Sequence, residues 1–136
     1  MLTNAQIARL ARLASAAVEG SGSGHTEYAH ADSRRRYVVG GVVPARIFPI
    51  GTARAVIREA VRRMVRDAEA ASLAFDTVGY WEDNGAVYVD LGDTWHACSS
   101  ALGMAHDRRE LAIYDRLTGS CLTVPRVSDT PGIHAA

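Results

Sequence analysis

"FDTVGYWEDNGAVYVDLGD", residues 75–93, decides how the rest of the chain is read. Two β-rich runs flank Asn84-Gly85, the pair that best tolerates the positive φ angles of a two-residue turn. The stretch therefore predicts a hairpin, with 75–82 pairing antiparallel on 86–91. Downstream, Asp93 or Thr94 is the expected cap of a helix over 95–106, with Trp95, Cys98, Ala101, Leu102 and Ala105 on one face. "ELAIYD" (110–115) reads as a strand, "RLTG" as a turn and "SCLTV" (120–124) as a strand pairing back. Upstream, Thr52 is the expected cap of a helix over 53–71, with Ile57, Ala60, Val61, Met64 and Ala68 as its buried stripe. "ARIFPIG" (45–51) reads as a loop, and "RRYVVGGVVP" (35–44) as a Val-rich strand ended by Pro44.

From residue 35 the order is β-α-β-β-α-β plus one extra C-terminal strand, which is the ferredoxin-like order in an α+β chain. Two helices would then cover one face of an antiparallel sheet, with Val38, Val42, Val87, Val89, Leu91, Leu111 and Ile113 directed to the helix side. Tyr37, Tyr88 and Tyr114 would share the other face, joined by Tyr80 or Trp81 according to register. An open face of aromatic side chains can stack bases or hold an apolar cover. An N-terminal amphipathic helix over 4–18, capped by Thr3 or Asn4 and ended by Gly20, repeats Ile7, Leu10, Ala11, Ala14, Ala17 and Val18 at helical spacing. It needs that sheet face, or a second copy of the chain, to bury its stripe. The expected organisation is a helix (1–19), a flexible connector (20–34), the ferredoxin-like domain (35–125) and a loose tail (126–136) carrying Pro131 and Gly132.

The 136 residues suit one core, and 48% apolar with 22% charged residues belongs to a folded rather than a disordered chain. No apolar run approaches the ~18 residues that span a bilayer. Arginines inside "MLTNAQIARLARLASAAVEG" argue against a secretory signal, and the regular helical spacing argues against a transit peptide. Two cysteines are too few for a disulfide scaffold, so the expected compartment is a reducing cytoplasm.

The net charge of zero conceals an uneven distribution. Residues 34–66 hold nine arginines and one acid, Glu59; residues 67–107 hold eight acids and no arginine. Each block can steer a charged partner, or the two can neutralise each other. The acidic block includes the hairpin, where Trp81 stands among Glu82, Asp83, Asp90 and Asp93, and a tryptophan among charges makes a binding anchor. The basic block includes Arg54, Arg58, Arg62 and Arg66 at i, i+4 spacing, able to grip phosphates or to form a solvated face laced by Glu59–Arg63 and Arg63–Asp67 pairs.

"GSGSGHTEYAHADSRRR" (20–36) has the residue types of a site. His25, His30 and Asp32 are metal-ligand types, with Glu27 as a base. The spacing fits no compact motif, however, and a Gly/Ser run offers no rigid frame, so a solvated connector is the expectation and no metal or cofactor is assigned. The run is not a phosphate loop, because it follows a helix instead of opening one. Cys98 falls on an apolar face and His96 does not, which argues against a Cys–His nucleophile.

"VGYWEDNGAVYVDLGDTW" and "ELAIYDRLTG" resemble stretches of small proteins from GC-rich genomes, their plasmids and phages. The resemblance implies a class only: interaction proteins of mobile elements, including inhibitors of CRISPR or restriction systems. The expected function is thus non-enzymatic protein binding, the partner being another protein such as a nucleic-acid-binding complex. Direct nucleic-acid binding by the tyrosine face and arginine helix is the alternative, and a small metal-dependent enzyme the second. No membrane partner is expected, and a second copy of the chain, through helix 1 or the sheet face, is the further partner the pattern allows.

Overall fold

Asn84 and Gly85 both take positive φ, 50° and 77°, and the chain reverses there as its sequence requires. In the computed structural model, which describes residues 1–30, 32 and 34–125, this turn joins β4 (Thr77–Asp83) to β5 (Ala86–Trp95). They pair antiparallel from Asp83↔Ala86 to Thr77↔Gly92. The described chain is α+β, with three helices and seven strands, and none of these helices is long and apolar enough to cross a membrane.

Two compact units divide the described residues. The first contains the residues up to 32 together with 41–93. Its sheet adds β1 (Gly24–Tyr28) to the outer edge of β4 and β3 (Arg46–Pro49) to β5, both antiparallel. α1 (Asn4–Ser15) lies against α2 (Arg54–Ala70), β1 and β4. Leu10, Ile57, Val61, Val78, Val87, Val89 and Leu91 are almost wholly buried in the shared core. Each such side chain contributes roughly 1.5–3 kcal/mol of burial.

The second unit contains 34–40 and the described residues from 94 onward. β2 (Tyr37–Val39), β6 (Ala112–Asp115) and β7 (Ser120–Thr123) form an antiparallel sheet against α3 (Cys98–Asp107). Its core is small: Val39, Ala101, Ala105, Ile113 and Val124, flanked by Trp95, Cys98 and Leu102. Polar staples support it. The Arg36 guanidinium donates to both Asp115 carboxylate oxygens at 2.7 and 2.6 Å, holding that buried carboxyl well below the usual carboxylate range. Arg35 Nε donates to Thr94 Oγ1 at 2.6 Å. Arg35 and Arg36 of the "SRRR" run are therefore structural here.

Several sequence expectations are corrected. Residues 24–28 are a strand where a flexible connector was expected. Helix 1 ends at Ser15 and belongs to the first unit, with Ile7, Leu10, Ala11 and Ala14 buried there instead of on a sheet face of aromatics or a second copy, and Val18 exposed. The loop expected over 45–51 contains β3, and the strand expected over 35–44 keeps only 37–39 because the chain turns at Gly41, φ 79°. Thr52 does not cap α2; its hydroxyl donates to the Pro49 carbonyl at 2.7 Å and Ala53 occupies the cap position. Asp93 and Thr94 stay in β5, and α3 starts after Ala97. Thr3 does cap α1, in a reciprocal pair with Gln6. β3 stands between β2 and α2, and α2 and α3 serve different cores, so the ferredoxin-like arrangement is not established beyond the α+β class. Leu111 is exposed and not core. The tail expected over 126–136 lies outside the described residues.

Candidate functional site

The acidic hairpin does not present the five side chains its sequence suggested. The Glu82 carboxylate is buried and accepts amide N–H bonds from Gly20 (3.1 Å), Gly22 (2.8 Å) and Gly85 (3.3 Å). Those amides, Gly22's foremost, hold its carboxyl below the ordinary range. Asp90 is also buried, and both its oxygens accept from the Gly41 N–H at 3.0 Å. Two of the hairpin's acids therefore fix the two glycine segments onto the sheet and cannot meet a partner. Asp83 is exposed, Asp93 is half-buried and Trp81 is 44% exposed.

Register explains Trp81. It stands opposite Tyr88 on β5, Tyr88 opposite Ile47 on β3, and Gly24 of β1 stands on its other side. Directly opposed residues share a face, so Gly24, Trp81, Tyr88 and Ile47 form one row across four strands. The helices pack on the opposite face, which holds Val78, Val87, Val89 and Leu91. The Trp81 and Tyr88 rings stack with centroids 5.0 Å apart and planes 7° from parallel. That separation matches the strand spacing, so the rings stand side by side and do not lie flat on the sheet. Ile47 continues the row at 60% exposed. At the β1 end a Cβ on Gly24 would come within 3.0 Å of the Tyr80 carbonyl, so the row ends without a side chain there.

Of the aromatic face expected from Tyr37, Tyr88 and Tyr114 with Tyr80 or Trp81, Tyr88 and Trp81 share one face and the other three tyrosines do not join them. Tyr80 pairs with Val89, turns into the core and is buried. Tyr37 and Tyr114 belong to the second unit, where Tyr37↔Asp115 and Val38↔Tyr114 put them on opposite faces of β2 and β6. β2 is turned the other way from the expectation, Tyr37 packing with Val39 and Ile113 on the α3 side and Val38 lying on the opposite face, and Tyr80 and Tyr88 differ by one position of cross-strand register.

The opening stretch carries an ordered network. Glu27, buried on β1, accepts from Arg9 Nε at 2.8 Å and from a second Arg9 nitrogen at 2.6 Å, and contacts His25 Nε2. Gln6 Nε2 donates to the Tyr28 carbonyl at 2.7 Å, so α1 is riveted to β1 at two points. The Arg9 bonds, then His25, draw the Glu27 carboxyl below its ordinary value near 4.5 while burial opposes them. A depressed folded pKa gives stability that is present above the ordinary value and is lost as pH falls through the folded one. Glu27→Gln is expected to be less stable than wild type at neutral pH, with a difference that shrinks steadily in acid. Urea unfolding across that range checks it; a pH-independent difference would refute the assignment. His30 is exposed, and among the described residues no three His, Cys, Asp or Glu side chains converge as metal ligands around His25, His30 or Asp32.

On α2 the expected lacing changes partner. Glu59 accepts from Arg63 at 3.4 Å and from Arg66 at 3.3 Å, in place of an Arg63–Asp67 pair. Arg54, Arg58 and Arg62 form no ion pair among the described residues, Arg54 and Arg58 being exposed and Arg62 partly so. An open groove of about 290 Å³ lies between the start of α1 and the last turns of α2, floored by Leu2, Ile7, Val65 and Phe75 and edged by Arg62 and Arg66. Cys98 packs beside the core of the second unit, while Cys121 and His96 are exposed.

Ile47, Gly24 and the Glu27–Arg9 pair escape sequence reading because each acts through a strand pairing or ion pair remote in the chain. The hint available was only that Ile47 and Phe48 are adjacent β-formers. No family model, no curated protein and no solved structure matches the chain.

Proposed function

We propose that this chain is a protein-interaction module that binds by surface complementarity, with the Trp81–Tyr88–Ile47 ridge as its contact. The observation that carries this reading is the exposure of Trp81 (44%) and Ile47 (60%) in one row on the face of the sheet turned away from both helices. Large apolar side chains gathered in a row are the usual core of a protein interface, and tryptophan and tyrosine are its usual anchors. Because the two rings use one face on each other, the ridge suits a protein groove better than it suits flat base stacking. Asp83 at the hairpin end supplies the polar rim. An inhibitor carried by a mobile element is one protein of this kind. A ferredoxin-like ancestry for the β4-β5 sheet and α2 is compatible with this reading and is not needed for it.

The test compares tagged wild type with Trp81→Ala and Ile47→Asp in capture from the native cell, followed by titration of the captured partner. Anchor truncation typically costs about 2 kcal/mol or more, so affinity is expected to fall at least ~30-fold. If the chain sediments as a dimer that Ile47→Asp dissolves, the partner is a second copy. Equal capture by all three forms removes the ridge from the account.

A further inference from the structure

A second surface lies on the other side of the first unit. α1 and α2 run antiparallel: Ser15 Oγ donates to the Thr52 carbonyl at 2.9 Å, and at the far end Leu2 and Ile7 line a groove with Val65 and Glu69. The 100° step of an α-helix assigns the flanks. On α2, Arg54, Arg58 and Arg62 fall on the flank that also carries Val65 and Glu69, which is the flank facing α1. On α1, Gln6 and Arg9 turn to β1, so Ala8, Arg12 and Ser15 lie on the flank facing α2. The seam between the helices therefore carries Arg12, Arg54, Arg58 and Arg62. None of them forms an ion pair among the described residues. α1 contains no acid, Glu59 is engaged with Arg63 and Arg66, and Glu69 stands at the groove end.

We infer that this seam binds the phosphate backbone of a nucleic acid without reading sequence. Three features favour that occupant over an acidic protein. The α2 arginines repeat every four residues, about 6 Å, on one rigid helix and extend over about 12 Å. One DNA strand presents a phosphate roughly every 3.4 Å of rise, so the row spans three or four of them. The exposed residues between the arginines are Ala8 and Ala55, which leave the seam smooth and without the aromatic anchor that a protein interface requires. Arginine supplies a planar fork that matches a phosphate. The aromatic ridge cannot share in this contact, because the sheet separates it from the helices.

Fluorescence anisotropy with a labelled mixed-sequence DNA duplex tests the inference on the full chain. Affinity is expected to fall with salt at a log–log slope of about −3 to −4, from three or four contacts at ~0.9 each. Arg58→Gln should weaken binding equally for unrelated sequences and reduce the slope by about one, and Arg54→Gln with Arg58→Gln and Arg62→Gln should abolish it. Arg63→Gln, off the seam, and Trp81→Ala, on the ridge, should leave it unchanged, so failure here is separable from failure of the ridge. Three results overturn the inference: no binding at low salt, a salt slope indifferent to the seam variants, or preference for poly-glutamate over DNA. Circular dichroism of each variant checks that the fold is intact.

Discussion

Leu10→Ala is expected to destabilise the first unit by about 2–5 kcal/mol, the range for emptying a fully buried leucine site. Leu10 is wholly buried in a core that α1 shares with α2 and the sheet, so the cavity would open at a junction of helices and strands. A peripheral helix that docked reversibly, or one waiting for a second copy, would show only tenths of a kcal/mol in a dilute monomer. The reporter is built in: Trp81 belongs to the first unit and Trp95 to the second, so a Trp95→Phe background isolates the relevant signal. The urea midpoint should drop with little change in slope, since the surface exposed on unfolding is nearly the same. A shift within error would mean that α1 is an accessory.

Glu82→Ala is expected to lower the urea midpoint far more than Asp83→Ala, although the two acids are adjacent on one hairpin. Glu82 gathers three amide donors from Gly20, Gly22 and Gly85, and truncation removes the one charged acceptor that all three share. Asp83 is exposed, so its loss exchanges little but water. Glu82→Gln keeps the volume and one carbonyl oxygen while turning an NH₂ toward an amide donor, so it should fall between them. Proteolysis within 20–23 should rise in step with the loss of stability, because the Glu82 carboxylate holds Gly20 and Gly22 of that loop to the sheet. Equal midpoints for the Glu82 and Asp83 variants would show that the glycine amides are satisfied without the carboxylate. In a binding test, charge reversal at Glu82 or Asp90 would report unfolding, and the informative hairpin positions are Trp81 and Asp83.

Elements whose cause is local can be read along the chain. The Asn84-Gly85 hairpin follows from the φ angles those two residues accept, Thr3 was one of the two caps the sequence offered for α1, and the α2 stripe follows from 3.6-residue periodicity. Trp81 was identifiable as a candidate anchor because it stands among acids beside the turn, whereas which of Tyr80 and Trp81 faces outward depended on cross-strand register. The remaining features arise from long-range contacts. Glu82 and Asp90 looked like surface acids because acids beside a turn usually are. What buries them are amides 62 and 49 residues away in sequence, at Gly20 and Gly41, and no local pattern encodes those encounters. β1 is a strand because β4 offers it an open edge, its own residues including a buried Glu27 that needs Arg9 from α1. The tyrosines parted because faces are set by cross-strand register, and a shift of one position turns a side chain from the surface into the core. Local dihedral preferences act over a few residues and can be read in order, whereas burial and pairing depend on which distant segments the folded chain brings together.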